Sequence, residues 1–170
     1  MQDVFSKLGP LIIASRLKRM SDYIMRAGAE FYHSNGIEFE PKWFPLYYLL
    51  SQEKELGIMD IAQKLNISHP AVIQLAKELE KKGWIISTKS TEDARKRLLK
   101  LSKKGLRLLS QLQLIWDDIR EVNRQVVDAQ TTNILDALEE METFFASKSY
   151  TERMKAFQEL KKYNQLSAVI

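Results

Sequence analysis

The chain has 170 residues, 45% of them hydrophobic, enough for one well-buried domain with helical arms but hardly for two independent enzymes. Cysteine is absent, which excludes a disulfide framework, a thiolate nucleophile or metal ligand, and thiol-based peroxide sensing, and fits a reducing compartment. No run approaches the roughly 20 apolar residues that span a bilayer, and the N-terminus lacks the ordered regions of a signal peptide, so a soluble cytoplasmic protein is expected.

Taken in chain order, residues 4 to 33 place Val4, Phe5, Leu8, Leu11, Ile12, Leu17, Met20, Ile24, Ala27 and Phe31 at helical spacing. This predicts a long amphipathic helix, interrupted near Gly9 and Pro10 and ended by Ser34, Asn35 and Gly36. Glu40 to Leu50 begins like a helix with proline in its first turn, but Pro45 lacks the amide to bond back to residue 41. It kinks that helix unless the chain stays non-α until about residue 44.

Gly57 to Leu65 is expected as a short helix with Ile58, Ile61, Ala62 and Leu65 on one face. Asn66, Ile67 and Ser68 make a turn, with Ser68 at the N-cap and Pro70 in the first turn of a second helix. That helix runs to Lys82, buries Val72, Leu75, Ala76 and Leu79, and is closed by Gly83. Trp84 to Lys89 and Arg97 to Ser102 are expected as a two-stranded ribbon joined by the polar segment Ser90 to Ala94. Lys103 to Val127 is helical again, with a stripe of Leu106, Leu109, Leu112 or Gln113, Trp116, Ile119 or Arg120, and Asn123 or Val126. After a break at Ala129 to Thr132, two more helices cover Ile134 to Ala146 and Lys148 to Leu160.

The fold class is therefore mainly α with a small β wing: a winged helix-turn-helix lobe on a helical dimerisation base. Within a single domain over 1–170, residues 1–36 form an N-terminal dimerisation helix, 40–105 the lobe, and 106–170 the C-terminal dimerisation helices. The arms carry more apolar face than a lone lobe of this size covers, which points to a two-fold homodimer over arms folded back on their own lobe. Charge is concentrated in the lobe. Residues 54 to 107 hold 13 Lys and Arg against 6 Asp and Glu, a balance of +7 within a net charge of +4, so the remainder carries −3. Such a field attracts phosphates, although exposed lysines also make an ordinary solvated face.

The run Ile61-Ala62-Gln63-Lys64-Leu65-Asn66-Ile67-Ser68, with Leu79-Glu80-Lys81-Lys82-Gly83, Asp93-Ala94-Arg95 and Leu101-Ser102-Lys103-Lys104-Gly105, resembles the MarR family of bacterial transcriptional regulators. The match covers residues 40 to 107 in motif detail and the flanking helices in layout only. Its specific part is the Asp-x-Arg wing followed by Ser/Thr-x-x-Gly. The resemblance implies a DNA-binding regulator, a repressor released by a small-molecule effector. It also implies that Arg95 reaches the minor groove, steadied by Asp93, where a surface ion pair would be the plain alternative.

An exposed helix of about 14 residues fits the major groove, its N-terminal residues reaching base edges. Here those are Ser68, His69, Ala71, Gln74 and Lys77, with Lys89, Lys96 and Arg97 adding phosphate-binding charge from the wing. Gln74 suits bidentate pairing with adenine and Ala71 suits a thymine methyl. Family members often have arginine where Gln74 stands, so the loss of a guanine-reading fork tilts the expected preference toward A·T. The expected partner is a pseudo-palindromic duplex DNA.

Trp43, Phe44, Tyr47 and Trp116 are candidates to line an effector pocket, since MarR regulators commonly bind small ligands between arms and lobe, although aromatics at helical spacing are more often core. Glu30 and His33 form half of a carboxylate–histidine metal site, but no second pair exists, so neither metal nor cofactor is expected. No phosphate loop, nucleophile elbow or zinc-protease motif is present, so no enzyme is expected. Two other readings stand beside the regulator. One is a winged helix serving as a protein-interaction adaptor. The other follows from Trp43-Phe44-Pro45 and Ser68-His69-Pro70, which resemble a subgroup whose MarR-like half precedes an acetyltransferase domain; with its last residue at Ile170 the chain would be a stand-alone relative or a fragment.

Overall fold

The computed structural model describes residues 7–89 and 96–167. Val4, Phe5, the segment Ser90 to Ala94, and with it Asp93, and Arg95 lie outside the described residues. The chain divides into two compact units, one up to Ile119 and one from Arg120. None of the described helices is long and apolar enough to cross a membrane.

In the first unit a 3-10 turn, Gly9–Ile12, leads into helix α1, Ile13–Ser34, so the expected interruption at Gly9 and Pro10 becomes a tighter turn ahead of the helix. At its far end Gly36 N–H bonds to His33 O and Ile37 N–H to Tyr32 O, which closes the last carbonyls of the helix. Only Tyr32 of α1 is buried. The Pro45 difficulty resolves in the same way. Pro41–Trp43 form a 3-10 turn, and α2, Phe44–Gln52, starts late enough that Pro45 falls in its first turn, where a missing amide costs nothing.

A two-residue strand β1, Leu56–Gly57, precedes α3, Ile58–Leu65, and α4, His69–Lys81. Strands β2, Ile85–Lys89, and β3, Arg97–Leu101, complete an antiparallel sheet in the order β1-β3-β2. The expected two-stranded ribbon is thus a three-stranded sheet, with Leu56 paired to Leu99 and Ile85 to Leu101. Asn66 takes the left-handed conformation (φ 51°) between α3 and α4. Gly83 (φ 71°) closes α4, its N–H bonding to Glu80 O while Trp84 N–H reaches Leu79 O. That positive φ is why a glycine stands there.

Helix α5, Lys103–Asp128, crosses the boundary between the units. Its start explains the Ser-x-x-Gly motif. Ser102 Oγ accepts from Gly105 N–H at 2.9 Å and donates to Gly83 O at 2.7 Å, tying the helix to the end of α4. A Cβ on Gly105 would sit 2.0 Å from the carbonyl oxygen of Trp84, so only glycine permits this approach. Of the expected α5 stripe, Leu112 and Trp116 are buried with Ile115, and Leu109 and Ile119 pack partly against them. Leu106, however, is 53% exposed, because the anchoring of Gly105 against Trp84 turns the next side chain outward.

The core of the first unit is aromatic at its centre. Phe39 lies 5.0 Å from Tyr32, 5.7 Å from Trp43, 5.4 Å from Tyr47 and 5.9 Å from Trp84, ring centre to ring centre. Around it stand Leu46, Ile61, Val72, Leu79, Ile85 and Leu99. Its buried polar atoms are paired: Tyr47 Oη donates to Gly105 O at 2.8 Å and Trp116 Nε1 donates to Tyr32 Oη at 2.9 Å. Burial pushes the Tyr47 hydroxyl pKa well up, so it stays a neutral donor.

The second unit holds the last turns of α5 and helices α6, Ile134–Ser147, and α7, Tyr150–Ser167. Asn133 caps α6 through Leu135 N–H, and Ser149 and Glu152 form a reciprocal capping box at α7. Arg153 stacks its guanidinium 3.5 Å over the Phe144 ring and donates to the carbonyls of Phe144 and Lys148, which fixes the corner between the two helices.

Candidate nucleic-acid interface

The candidate DNA-reading surface is the outer face of α4. Ser68 Oγ accepts from Ala71 N–H, and Pro70 fits the first turn, so the helix begins where the sequence places it. Val72, Ala76 and Leu79 turn fully inward. The opposite stripe exposes His69, Gln74, Lys77 and Lys81, while Ala71 is half-buried at its edge. The serine hydroxyl proton remains for a further acceptor.

Lys89 at the end of β2 and Lys96 just ahead of β3 are both exposed, with Lys89 paired in register to Arg97. Arg97 was expected as a phosphate contact, but its guanidinium is engaged within the lobe. It donates to both oxygens of Glu80 at 2.7 and 2.8 Å and to Ser87 Oγ at 2.7 Å. Ser87 in turn donates to Glu80. Burial opposes the charge on Glu80, yet the bonds from Ser87 and Arg97 prevail and hold its pKa below the ordinary value. The pair bolts the wing to α4, so the basic end of the ribbon is carried at a fixed position relative to the helix.

A second carboxylate on α4 was not singled out by the sequence. Glu78 accepts from Lys42 Nζ at 2.7 Å, Trp43 Nε1 at 2.7 Å and Gln74 Nε2 at 3.1 Å. The Lys42 bond first, then Trp43 and Gln74, push its pKa down to about 2. Nothing in the local pattern around residue 78 signals this, because two of its partners come from the turn ahead of α2.

Of the four aromatics considered for an effector pocket, Trp43, Tyr47 and Trp116 are core, and Phe44, 37% exposed, packs edge-on against Trp116 at 5.0 Å. These rings fill the space between themselves. Trp43 alone of the four borders a cleft of about 500 Å³, with Glu30, His33, Glu38, Phe39 and Lys82 among its lining residues. Lys82 donates to Glu38 at 2.8 Å, which lowers the Glu38 pKa. Among the described residues no group of three or more His, Cys, Asp or Glu is placed to hold a metal ion.

The MarR family sequence model matches residues 44–96. No curated protein matches the chain. Among solved structures, the adhesin competence repressor AdcR from Streptococcus pyogenes is similar at 26% identity and a TM-score of 0.56, with 80% of this chain and 96% of that one covered. A mutant MarR from E. coli complexed with operator DNA superposes with a TM-score of 0.62 at 20% identity, covering 84% of this chain and 97% of that one. PcaV from Streptomyces coelicolor, in complex with its natural ligand, gives a TM-score of 0.60 at 17% identity over 87% and 99% of the two chains. Residues 44–96 are thus similar to the MarR family of transcription regulators, and the three-stranded wing and the capped helix α4 give this chain the winged helix-turn-helix fold of those structures.

Proposed function

We propose that the protein is a homodimeric, sequence-specific DNA-binding repressor that reads a pseudo-palindromic operator. The observation that carries the reading is the division of α4 into a fully buried face and an exposed face of His69, Gln74, Lys77 and Lys81, flanked by the exposed lysines of the wing. Gln74 reads adenine through its amide, Ala71 meets a thymine methyl, and Lys77, Lys89 and Lys96 contact phosphates. The wing residues Asp93 and Arg95 belong to the same proposal through the family resemblance. Two lobes then enter successive major grooves about 34 Å apart.

The dimer is supported by apolar side chains that single-chain packing leaves open, on α1 (Leu17, Met20, Ile24) and on α7 (Met154, Phe157, Leu160). Release by a small-molecule effector is the finer part of the proposal, and the cleft bordered by Trp43 is the space that supports it. A ligand there acts only if it binds better to a dimer whose lobes no longer match both grooves. The test is salt-dependent binding to a duplex selected from a random pool. Lys77→Ala and Lys96→Ala are expected to weaken binding evenly across sequences and each to reduce the salt slope by about 1. Unchanged slopes would remove these lysines from the interface and favour an adaptor, whose contacts are apolar.

A further inference from the structure

Gln74 does not stand alone on the outer face of α4. Its Nε2 donates to Glu78 Oε1 at 3.1 Å, one helical turn further on. The other oxygen of Glu78 takes Lys42 Nζ and Trp43 Nε1, each at 2.7 Å. Lys42 and Trp43 belong to the turn ahead of α2, so the carboxylate on α4 is oriented from a separate element of the lobe.

A carboxylate only accepts hydrogen bonds. With its pKa pushed down to about 2, first by Lys42, Glu78 is ionised at neutral pH and keeps that character. The Gln74 amide therefore cannot turn its oxygen toward Glu78; the nitrogen faces the carboxylate and Oε1 faces away. The terminal torsion of an unconstrained glutamine is broad and roughly two-fold, so either end of the amide would be offered to a base. Adenine demands one order, an amide oxygen against its N6 amino group and an amide N–H against N7. One N–H of Gln74 bonds to Glu78, and the second remains to accompany Oε1.

We propose that Glu78, clamped by Lys42 and Trp43, is a positioning residue that fixes the orientation of the Gln74 amide and so sets the adenine preference of the recognition helix. The proposal rests on the assignment of Gln74 to base reading. A carboxylate beside a DNA-facing helix has a second effect, repulsion of phosphates, which acts on all duplexes alike. A base-specific readout separates the two.

The experiment uses the full chain. A duplex selected by the wild type from a random pool is varied at each position, and binding is measured for wild type, Gln74→Ala, Glu78→Gln and Trp43→Phe. Glu78→Gln is expected to lower the ratio of affinities for adenine over the other bases by about fivefold or more, at the same base pair that Gln74→Ala flattens. All other positions keep their preferences. Trp43→Phe, which loses the indole N–H and keeps an aromatic ring, moves that ratio in the same direction by less. If Gln74→Ala flattens a position and Glu78→Gln leaves it at the wild-type ratio, or raises affinity for every duplex equally, the positioning role is overturned while base reading by Gln74 stands. If Gln74→Ala flattens no position, base reading fails and the role of Glu78 falls with it. Thermal unfolding of each preparation checks the fold, and Lys42→Met releases the same carboxylate should one of the other variants fail to fold.

Discussion

Between Tyr32 and Trp116 lie all the buried residues of the described chain; from Arg120 onward there is none. Both regions carry apolar side chains at helical spacing. In the winged lobe, those of α4 and α5 meet an aromatic centre and a three-stranded sheet supplied by the same chain. In the second unit Leu135, Phe144, Met154, Phe157 and Tyr163 each remain about half exposed or more. An apolar stripe therefore says that a helix has something to bury, and leaves open what it is buried against. The lobe answers that within one chain, and for the second unit a second copy is proposed as the covering surface.

The comparison breaks most visibly at Leu79, which has no exposed surface. Leu79→Ala is expected to cost about 2–5 kcal/mol in denaturant unfolding, through lost transfer energy and the cavity left behind. A cost under about 1 kcal/mol would mean that the lobe is not closed on itself as described. Phe157, 68% exposed, should behave in the opposite way. Phe157→Ser is expected to leave lobe unfolding unchanged but to weaken the dimer by about tenfold or more in sedimentation, since burial of a phenylalanine contributes roughly 1.5–3 kcal/mol. An unchanged dimer constant would remove this face of α7 from the interface.

The smallest effect concerns acid. The folded-state pKa of Glu78 is depressed to about 2 against an ordinary 4.5, so its contribution is present above pH 4.5 and is lost as pH falls toward 2. Its partner Lys42 is half-exposed and solvent screens the pair, so the effect is modest. Glu78→Gln should flatten the acid limb of stability between those values, read by thermal unfolding from pH 5 to pH 2. An acid limb identical to the wild type would mean that the Lys42 and Trp43 bonds do not hold Glu78 ionised.

Much of the helix layout was legible because single residues punctuate it. Ser68 caps, Gly83 closes and Pro70 marks a first turn by local backbone chemistry that needs no tertiary context. Strand β1 was not legible, because two residues show no alternation. Phe39 was missed as a core residue for a similar reason: it lies between elements, outside any periodic run, whereas Trp84, expected as the first strand residue, stands just ahead of β2. The candidate site divides along the same line. The exposed stripe of α4 follows from periodicity, whereas the engagement of Arg97 by Glu80 and of Glu78 by Trp43 joins residues 17 and 35 positions apart, and only the folded lobe brings them together.

The most direct measurement compares the affinity of the purified full chain for its selected duplex and for a random duplex of equal length across a salt titration, with the stoichiometry determined at saturation. The expected result is a preference of about a thousandfold or more that persists as salt rises, with two chains per duplex. Equal affinity for both duplexes at every salt concentration would contradict a sequence-specific regulator.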